Sequence, residues 1–401
     1  MALVGELDLP ELDLGDPDLV GDEYHRRLAQ LRSESWLART PVAVVVLDRA
    51  AGEFFLRARA TAFPGRQIAE LFGITSGPLF DHIDANILNL SGDTHRRLRS
   101  IVGGAFTPAA ANRWRPVMRE LLEEIWKNVD GDADGQAEFV AAVAKPYPAL
   151  TIATILGAPP EDAPRLHEWS TWVQKQFDIR ALTTDLARIE AAVVEVNAYV
   201  EDLLAQPPEA STLLGALVAA EEEGERLSHA ECVNLAVNVL AGAIDTTQSQ
   251  LTHALHLFAE AQDQWALLAS SPDMVPAAVT EVLRVEPVTP FTARICLDDI
   301  EYHGVVFPEG TIVAICAERG NREAGEAFDV RVGHDARLLT FGAGPHFCLG
   351  ANLARAELEE ALGFLAPRMP DAHLDGPVRF GGIEGIYGIE TLPLSWSTGA
   401  A

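Results

Sequence analysis

Cysteine is scarce in this chain, and its few cysteines stand far apart. Four are present, Cys232, Cys296, Cys316 and Cys348, and no two of them form a CxxC pair. A disulfide framework or a structural zinc site needs several cysteines at short spacings, so the sequence argues against both. Each cysteine is expected to be a small buried hydrophobe unless its neighbours indicate otherwise.

Long apolar runs and a secretory leader are also missing. The best apolar run, residues 41–47, has the length of a buried strand and is far too short to cross a bilayer. The first residues are acidic and lack the basic and then apolar layout of a signal peptide. We therefore expect a cytoplasmic protein with no membrane partner.

Basic residues are heavily outnumbered. The chain has 30 Lys and Arg against 59 Asp and Glu, which gives a net charge of −29. So acidic a surface repels phosphate, and no basic tract interleaved with aromatic residues is present. Nucleic-acid binding is therefore not expected. The hydrophobic share of 48% is ample for a sizeable core and argues against disorder.

The chain has no internal repeat, low-complexity segment or linker, so we expect a single domain over residues 1–401. Helix-length apolar periodicity dominates, over residues 114–129, 184–204, 228–261, 272–285 and 351–365. Strand-like stretches are few, at residues 43–47, 53–57, 292–296 and 311–316. The sequence predicts a mainly α fold with a minor β portion.

One cysteine has an unusual neighbourhood. Cys348 lies in the segment FGAGPHFCLG (341–350), where three glycines in ten residues indicate positive φ angles or close approach to a flat partner. A helical run starts near Ala351, and free N–H groups at a helix start stabilise a thiolate. A charged sulfur against a glycine-lined surface suits the fifth ligand of a heme iron. The alternative is a structural cysteine beside a glycine turn.

This decapeptide resembles the heme-binding loop of the cytochrome P450 family, and the resemblance extends over nearly the whole chain. It implies the P450 fold, a triangular prism of helices around a buried heme b. It also implies a soluble bacterial monooxygenase that inserts one oxygen atom of O2 into its substrate. Cys348 would be the iron ligand, and the other residues of the loop that would contact heme are Phe341, Gly342, His346 and Gly350.

A second motif lies within a long apolar helix. Asp245 and Thr246 are polar residues at its middle, where such side chains are unfavourable unless they have partners. The segment GAIDTT (242–247) resembles the acid–alcohol pair of the family's central helix, which implies that Asp245 and Thr246 relay protons. Ala243 departs from the family pattern, which usually has glycine there. The alternative is a helix kink with a surface aspartate.

A third motif is the pair Glu281 and Arg284, which shares one helix face and can form an ion pair. Its order before Cys348 resembles the ExxR helix of the P450 family, which implies a structural network behind the heme. The family's third network residue normally lies in the loop before the cysteine. That loop, 321–333, is short and atypical here, and Arg322 and Arg331 are the two alternatives.

A basic helix precedes these motifs. His95 and Arg99 lie four residues apart on one face, and heme propionates need cationic donors. The resemblance implies propionate contacts from His95, Arg99, Arg294 and His346; the alternative is a solvated basic helix. It also implies that this helix lies near the cysteine loop. A ferredoxin or flavodoxin-like electron donor would then dock near Arg96, Arg97, Arg113 and Arg355.

The resemblance places apolar side chains around the substrate. Those expected to line the pocket are Phe80, Ile83, Ile87, Val239, Ala243, Val288, Phe291 and Ile386. They favour a hydrophobic or aromatic small molecule, free or carrier-protein-bound, in a tailoring step of secondary-metabolite biosynthesis. Two alternative functions are a peroxide-driven heme-thiolate enzyme and a non-catalytic heme-binding sensor or recruitment domain. The Asp245–Thr246 pair argues against both.

Overall fold

Helices form most of this protein. The computed structural model describes residues 1–130, 135–206, 209–222, 227–334 and 337–397. Within these ranges the α-helices are α1 Gly21–Glu34, α2 Arg49–Arg57, α3 Gly65–Leu71, α4 Pro78–Ala85, α5 Gly92–Gly103, α6 Pro108–Asp130, α7 Pro146–Leu156, α8 Ala163–Gln174, α9 Ile179–Thr184, α10 Leu186–Leu204, α11 Leu213–Glu222, α12 His229–Glu260, α13 Gln262–Ser270, α14 Val275–Val285, α15 Ala317–Arg322 and α16 Ala351–Leu365.

The strands are short. In the described part of the chain they are β1 Ala2–Leu3, β2 Leu37–Arg39, β3 Val44–Val46, β4 Thr61–Ala62, β5 Gln136–Glu138, β6 Phe291–Cys296, β7 Ile300–Tyr302, β8 Val305–Phe307, β9 Ile312–Cys316, β10 His373–Leu374, β11 Arg379–Phe380, β12 Ile389–Thr391 and β13 Pro393–Ser395. The largest sheet has the order β2-β3-β9-β6-β4, and its β6 runs antiparallel to β9. The prediction of a mainly α fold with a minor β portion is confirmed.

Most of the predicted elements are present, and one is wrong. The five predicted helices correspond to α6, α10, α12, α14 and α16, and three predicted strands correspond to β3, β6 and β9. Residues 53–57 were predicted to form a strand but lie inside α2. Asp48 caps this helix by accepting a hydrogen bond from the Ala51 N–H at 2.9 Å, and Ala51 and Phe55 are buried one turn apart. The cap and this spacing favour a helix.

The longest helix, α12, passes through the interior. It starts with a capping box, in which the Glu231 N–H donates to the Ser228 hydroxyl at 3.3 Å and the Ser228 N–H donates to the Glu231 carboxylate at 2.9 Å. The helix packs against α7, α8, α10 and α16, and most of its residues are buried. It therefore brings its polar residues close to several other helices.

The apolar core has a large helical part and two smaller parts that involve the β6–β9 sheet region. The helical part includes the buried tryptophans Trp169 and Trp265. In the ranges that the structure describes, every helix is too short or too polar to cross a lipid bilayer.

Candidate active site

The cysteine loop is a compact turn between α15 and α16. Gly342 and Gly344 have φ angles of 69° and 72°, which L side chains rarely adopt. A Cβ on Gly344 would come within 2.7 Å of the Leu56 carbonyl oxygen of α2, so only glycine fits there. The Cys348 N–H donates to the Phe341 carbonyl at 2.9 Å and closes the turn. This backbone holds Cys348 just before the first residue of α16.

The Cys348 sulfur has a different setting from the other three cysteines, which are fully enclosed. Cys348, by contrast, keeps accessible surface just before the first residue of α16. Burial raises the pKa of its thiol, while the Gly350 N–H, the Arg99 guanidinium and the Ala351 N–H act in the opposite direction. Three groups are therefore already placed to stabilise a thiolate.

Four basic side chains meet beside this loop. His95 and Arg99 come from α5, Arg294 from β6 and His346 from the loop itself. The His95 and His346 rings lie 4.3 Å apart between centroids. Within the described residues, the buried His95 Nε2 has no hydrogen-bond partner. These four residues, which the sequence analysis grouped as propionate contacts, thus come together from three separate segments of the chain.

The electrostatics of this cluster are unbalanced. Burial lowers the pKa of Arg294 to about 10. Burial, His95, Arg294 and Arg99 together lower the pKa of His346 to about 3. Burial and the charges of Arg99 and Arg96 lower the pKa of His95. Arg99 and Arg294 carry the same sign of charge, the two histidines would add to it if protonated, and buried cations are unfavourable unless they are paired. The cluster therefore fits an anionic group with more than one negative charge.

The middle of α12 has an open side. Gly242 is exposed although it lies in a largely buried helix, and a Cβ added there would meet nothing within 4 Å. Val239, Ala243 and Thr246 are also partly accessible, so they form one stripe with Gly242. The Thr246 hydroxyl donates to the Gly242 carbonyl at 2.8 Å. The open space beside α12 therefore lies next to Ala243, where the resembling family usually has glycine.

Asp245 points from α12 toward α8. One of its carboxylate oxygens accepts a hydrogen bond from the Thr171 hydroxyl at 2.7 Å, and the other accepts from the Ser170 hydroxyl. Burial raises the pKa of Asp245, while the Ser170 and Thr171 hydrogen bonds and the His167 charge lower it. Sequence reasoning did not identify these α8 partners, because the two helices are far apart in the chain.

A buried ion-pair network lies on α14. Arg284 donates to both oxygens of Glu281 at 2.7 and 2.8 Å, and both side chains are almost fully buried. Glu281 also accepts from the Asp329 N–H at 2.9 Å, and His334 Nε2 lies 3.3 Å from its other oxygen. Arg284 thus pairs with Glu281 as expected, and the third side chain in this network is His334.

Neither arginine that was considered for that third position contacts Glu281 in the described structure. Arg331 is largely exposed and donates to Asp329 at 2.7 Å. Arg322 pairs with the buried Glu318 at 2.9 Å. The backbone of this loop places His334 next to Glu281 and leaves Arg331 at the surface. Only the folded loop shows which side chain is in reach.

Comparison with known proteins identifies the family of this chain. A family model described as "Cytochrome P450" matches residues 264–365, which include α14, the cysteine loop and α16. Luteothin monooxygenase of Streptomyces thioluteus is 33% identical over 400 residues, and the alignment covers 96% of each chain. The chain belongs to the cytochrome P450 family. This P450 is a heme-thiolate monooxygenase that carries heme b and takes electrons from a redox partner.

Further relatives agree with this assignment. Nocardicin C N-oxygenase of Nocardia uniformis subsp. tsuyamanensis is 33% identical over 300 residues, which cover 73% of this P450 and 74% of the relative. The crystal structure of CalO2 superposes with a TM-score of 0.89 at 27% identity and covers 98% of this chain and 100% of that one. The structure of P450BioI with a ligated acyl carrier protein has a TM-score of 0.85 at 24% identity, which shows a shared fold.

The residues expected to line the substrate pocket of this P450 fall into two groups. The first is on α4, just after it and on α12, where Ile83 is buried and the others are partly buried: Phe80, Ile83, Ile87, Val239 and Ala243. The second comes from the segment after α14, from β6 and from a C-terminal loop: Val288, Phe291 and Ile386. The Tyr387 N–H donates to the Val288 carbonyl at 2.9 Å and holds that loop against Val288.

The arginines expected to receive the electron donor differ in their surroundings. Arg96 pairs with Asp93 within α5, and Arg97 pairs with Glu231 of α12. Arg113 lies over the Trp114 ring, 5.4 Å from its centroid. A fourth arginine, Arg355 of α16, lies 5.6 Å from the centroid of the Phe341 ring in the cysteine loop, and burial lowers its pKa. Arg355 is thus the member of this set that contacts the cysteine loop.

Proposed function

We propose that Cys348 would ligate the heme iron through its thiolate. The observation that carries this proposal is the setting of the sulfur. It is accessible at the start of α16, and the N–H groups of Gly350 and Ala351 and the Arg99 guanidinium act on it. When bound, heme supplies the activation of O2. The donors around the sulfur hold its charge and moderate its basicity.

His95, Arg99, Arg294 and His346 hold the heme propionates in this proposal. Two carboxylates would neutralise this cluster, in which burial lowers the pKa of Arg294, and burial together with like charges lowers the pKa of His95 and His346. The unpartnered Nε2 of His95 provides a further donor. Phe341, Gly342 and Gly350 complete the contact surface, because a glycine-rich backbone approaches a flat ring closely.

Asp245 and Thr246 deliver protons in this proposal. The open space beside Gly242 leaves room for a small molecule against α12. Thr246 stands next to that space and donates to the Gly242 carbonyl. The Thr246 hydroxyl borders this space, whereas Asp245 faces α8. The two side chains therefore connect α8 with the open space beside α12. Replacement of Thr246 by alanine should divert electrons from NADH into hydrogen peroxide.

The substrate is a hydrophobic or aromatic small molecule in this proposal, and the reaction is a tailoring step of secondary-metabolite biosynthesis. The apolar side chains on α4 and α12 and after α14 support the first part. Relatives named for luteothin and nocardicin C support the second. The substrate is taken up free or bound to a carrier protein.

A spin-state titration tests this proposal most directly. Polyketides, terpenes and aromatic acids are added one at a time to the ferric enzyme, and its spin state is followed. Each ligand that shifts the spin state is then incubated with the enzyme, NADH, ferredoxin, a ferredoxin reductase and labelled O2. The expected result is a product that contains one labelled oxygen atom. A product formed only with added peroxide, or heme binding without any turnover, would instead identify one of the two alternative functions.

A ferredoxin or flavodoxin-like donor docks near Arg96, Arg97, Arg113 and Arg355 in this proposal. Arg97 already pairs with Glu231, so its reversal would also disturb the start of α12. Arg96→Glu combined with Arg113→Glu is therefore the better test. We expect weaker ferredoxin-supported turnover with unchanged peroxide-supported turnover. Arg26→Glu, on the distant α1 and equally paired within its helix, serves as the control. Equal turnover in all three proteins would exclude this docking site.

A further inference from the structure

A polar seam joins α8 to α12 at the edge of the apolar core. On α8 one helix face carries His167, Ser170, Thr171 and Gln174, at spacings of three and four residues. Their partners on α12 are the Ala241 carbonyl, Asp245 and Gln248. The other α8 residues nearby, such as Trp169 and Val173, are buried and apolar. Polar groups in such a place are unfavourable unless each has a partner.

The centre of the α8–α12 seam is Asp245. Thr171 donates to its Oδ1 at 2.7 Å, and Ser170 donates to its Oδ2. Both carboxylate oxygens are therefore engaged by α8. Thr246, the neighbouring alcohol, donates to the Gly242 carbonyl instead. The hydrogen bonds of Asp245 thus lead from the central helix toward α8, which is the direction from which a proton would reach it.

Ser170 has two acceptors. Besides Asp245, its hydroxyl lies 3.2 Å from the Ala241 carbonyl, which also accepts from Gln174 Nε2 at 2.8 Å. A hydroxyl has one proton to donate and also accepts. Ser170 therefore donates to an ionised Asp245 and turns to Ala241 when Asp245 is neutral and donates to it. Asp245 thus keeps a hydrogen bond with Ser170 in both protonation states.

The two ends of the seam differ in access to water. Ser170 is fully buried, whereas Thr171 and His167 keep accessible surface. His167 Nε2 lies 2.6 Å from the Gln248 side-chain oxygen, and this histidine is the titratable α8 group that acts on Asp245. Thr171 is therefore an accessible hydroxyl that lies one hydrogen bond from Asp245.

We propose that the α8–α12 seam loads Asp245 with protons, with Thr171 as the entry and Ser170 as the switch. The Thr171 hydroxyl passes its proton to Asp245 Oδ1 as it takes one from water. A half-turn of the neutral carboxyl then presents this proton to Ser170, which accepts it in a hydrogen bond and turns its own O–H to the Ala241 carbonyl. The net change is one proton moved from solvent to Asp245. Thr171 and Ser170 are positioning residues, and the inference rests on the proposed proton-delivery role of Asp245.

The kinetic test uses the holoenzyme with saturating ferredoxin, ferredoxin reductase and NADH, and follows O2 consumption without substrate. Thr171→Val should slow O2 reduction about tenfold, a small part of the 10²–10⁴ typical of general acid–base catalysis, and enlarge the solvent isotope effect. Thr171→Ser should restore both values. Peroxide-supported oxidation of guaiacol should be unchanged, since peroxide brings its own protons. Thr154→Val is the control, because that hydroxyl bonds only within α7 in the described structure.

A second readout does not depend on turnover. The infrared C=O band of protonated Asp245, identified by its loss in Asp245→Asn, should titrate at higher pH in Ser170→Ala and Thr171→Val, since both remove a hydrogen bond to the carboxylate. Thr171→Ser should match the wild type. His167 contributes to this titration, so His167→Gln is measured in parallel.

The outcomes separate the two proposals. If Asp245→Asn leaves O2 consumption unchanged, the proposed proton-delivery role of Asp245 is wrong, and the role proposed for the seam is wrong as well. If Asp245→Asn slows O2 consumption but Thr171→Val and Ser170→Ala do not, Asp245 delivers protons that arrive by another route, and only the seam's role is wrong. A slow Thr171→Val enzyme that Thr171→Ser does not rescue would likewise overturn it.

Discussion

Replacement of Arg294 should have opposite effects on the heme-free and the heme-bound protein. The Arg294 side chain is 3% exposed, and burial alone lowers its pKa to about 10 from the usual 12.5. Both values lie above neutral pH, so the side chain is charged in the folded and unfolded states alike. The whole difference between these two pKa values therefore destabilises the folded state. It corresponds to about 3 kcal/mol, because one pKa unit is worth about 1.4 kcal/mol.

Arg294→Met removes this penalty but also removes the hydrogen bond to the Ala293 carbonyl at 2.8 Å, which contributes about 1 kcal/mol. The heme-free variant should then be about 2 kcal/mol more stable than the wild type. Unfolding entropy is about 2.1 cal/mol/K per residue, or about 0.8 kcal/mol/K for this chain of 401 residues. The gain corresponds to a rise in Tm of about 2–3 °C in calorimetry of the heme-free protein.

With heme bound, the same variant loses a charge-assisted hydrogen bond of about 1.5–3 kcal/mol. Heme transfer to apomyoglobin should therefore be at least about tenfold faster than from the wild type. Arg337→Met is the matched control, because Arg337 is exposed over the Phe347 ring and should change neither value appreciably. A heme-free Arg294→Met protein less stable than the wild type, together with unchanged heme transfer, would refute this reasoning.

Two further predictions concern stability. Glu281→Gln leaves Arg284 buried without its ion-pair partner, so the free energy of unfolding in urea should fall by about 3–5 kcal/mol, whereas Glu301→Gln at the surface should change it little. Glu286 and Glu318 raise the pKa of His25 to about 9, so the wild type should lose up to about 3 kcal/mol as pH rises from 6.5 through 9. His25→Gln should remove this pH dependence, and an unchanged slope would contradict it.

Local patterns account for what could be predicted from the sequence. The glycines around Cys348, the spacing of Glu281 and Arg284 and the apolar run of α12 each lie within a short segment, where backbone geometry fixes which side chains are neighbours. The ion pair, the turn and the long helix were therefore expected before the fold was known.

Contacts between distant segments could not be predicted in the same way. His334 reaches Glu281 because of the path of a shortened loop, and the polar face of α8 has meaning only once α12 lies against it. The face itself is visible in the sequence as His167, Ser170, Thr171 and Gln174. What the sequence lacks is the identity of the helix that covers that face.

The central claim is that Cys348 ligates the heme iron through its thiolate. The most direct test is the absorption spectrum of the dithionite-reduced protein with carbon monoxide, measured for the wild type and Cys348→His. The wild type should show the strongly red-shifted Soret band of thiolate ligation, and Cys348→His should lose that shift while heme stays bound. Single replacement of Cys232, Cys296 or Cys316 by serine should leave the band in place. A wild-type spectrum without the shift, or a shift that survives in Cys348→His, would contradict the account.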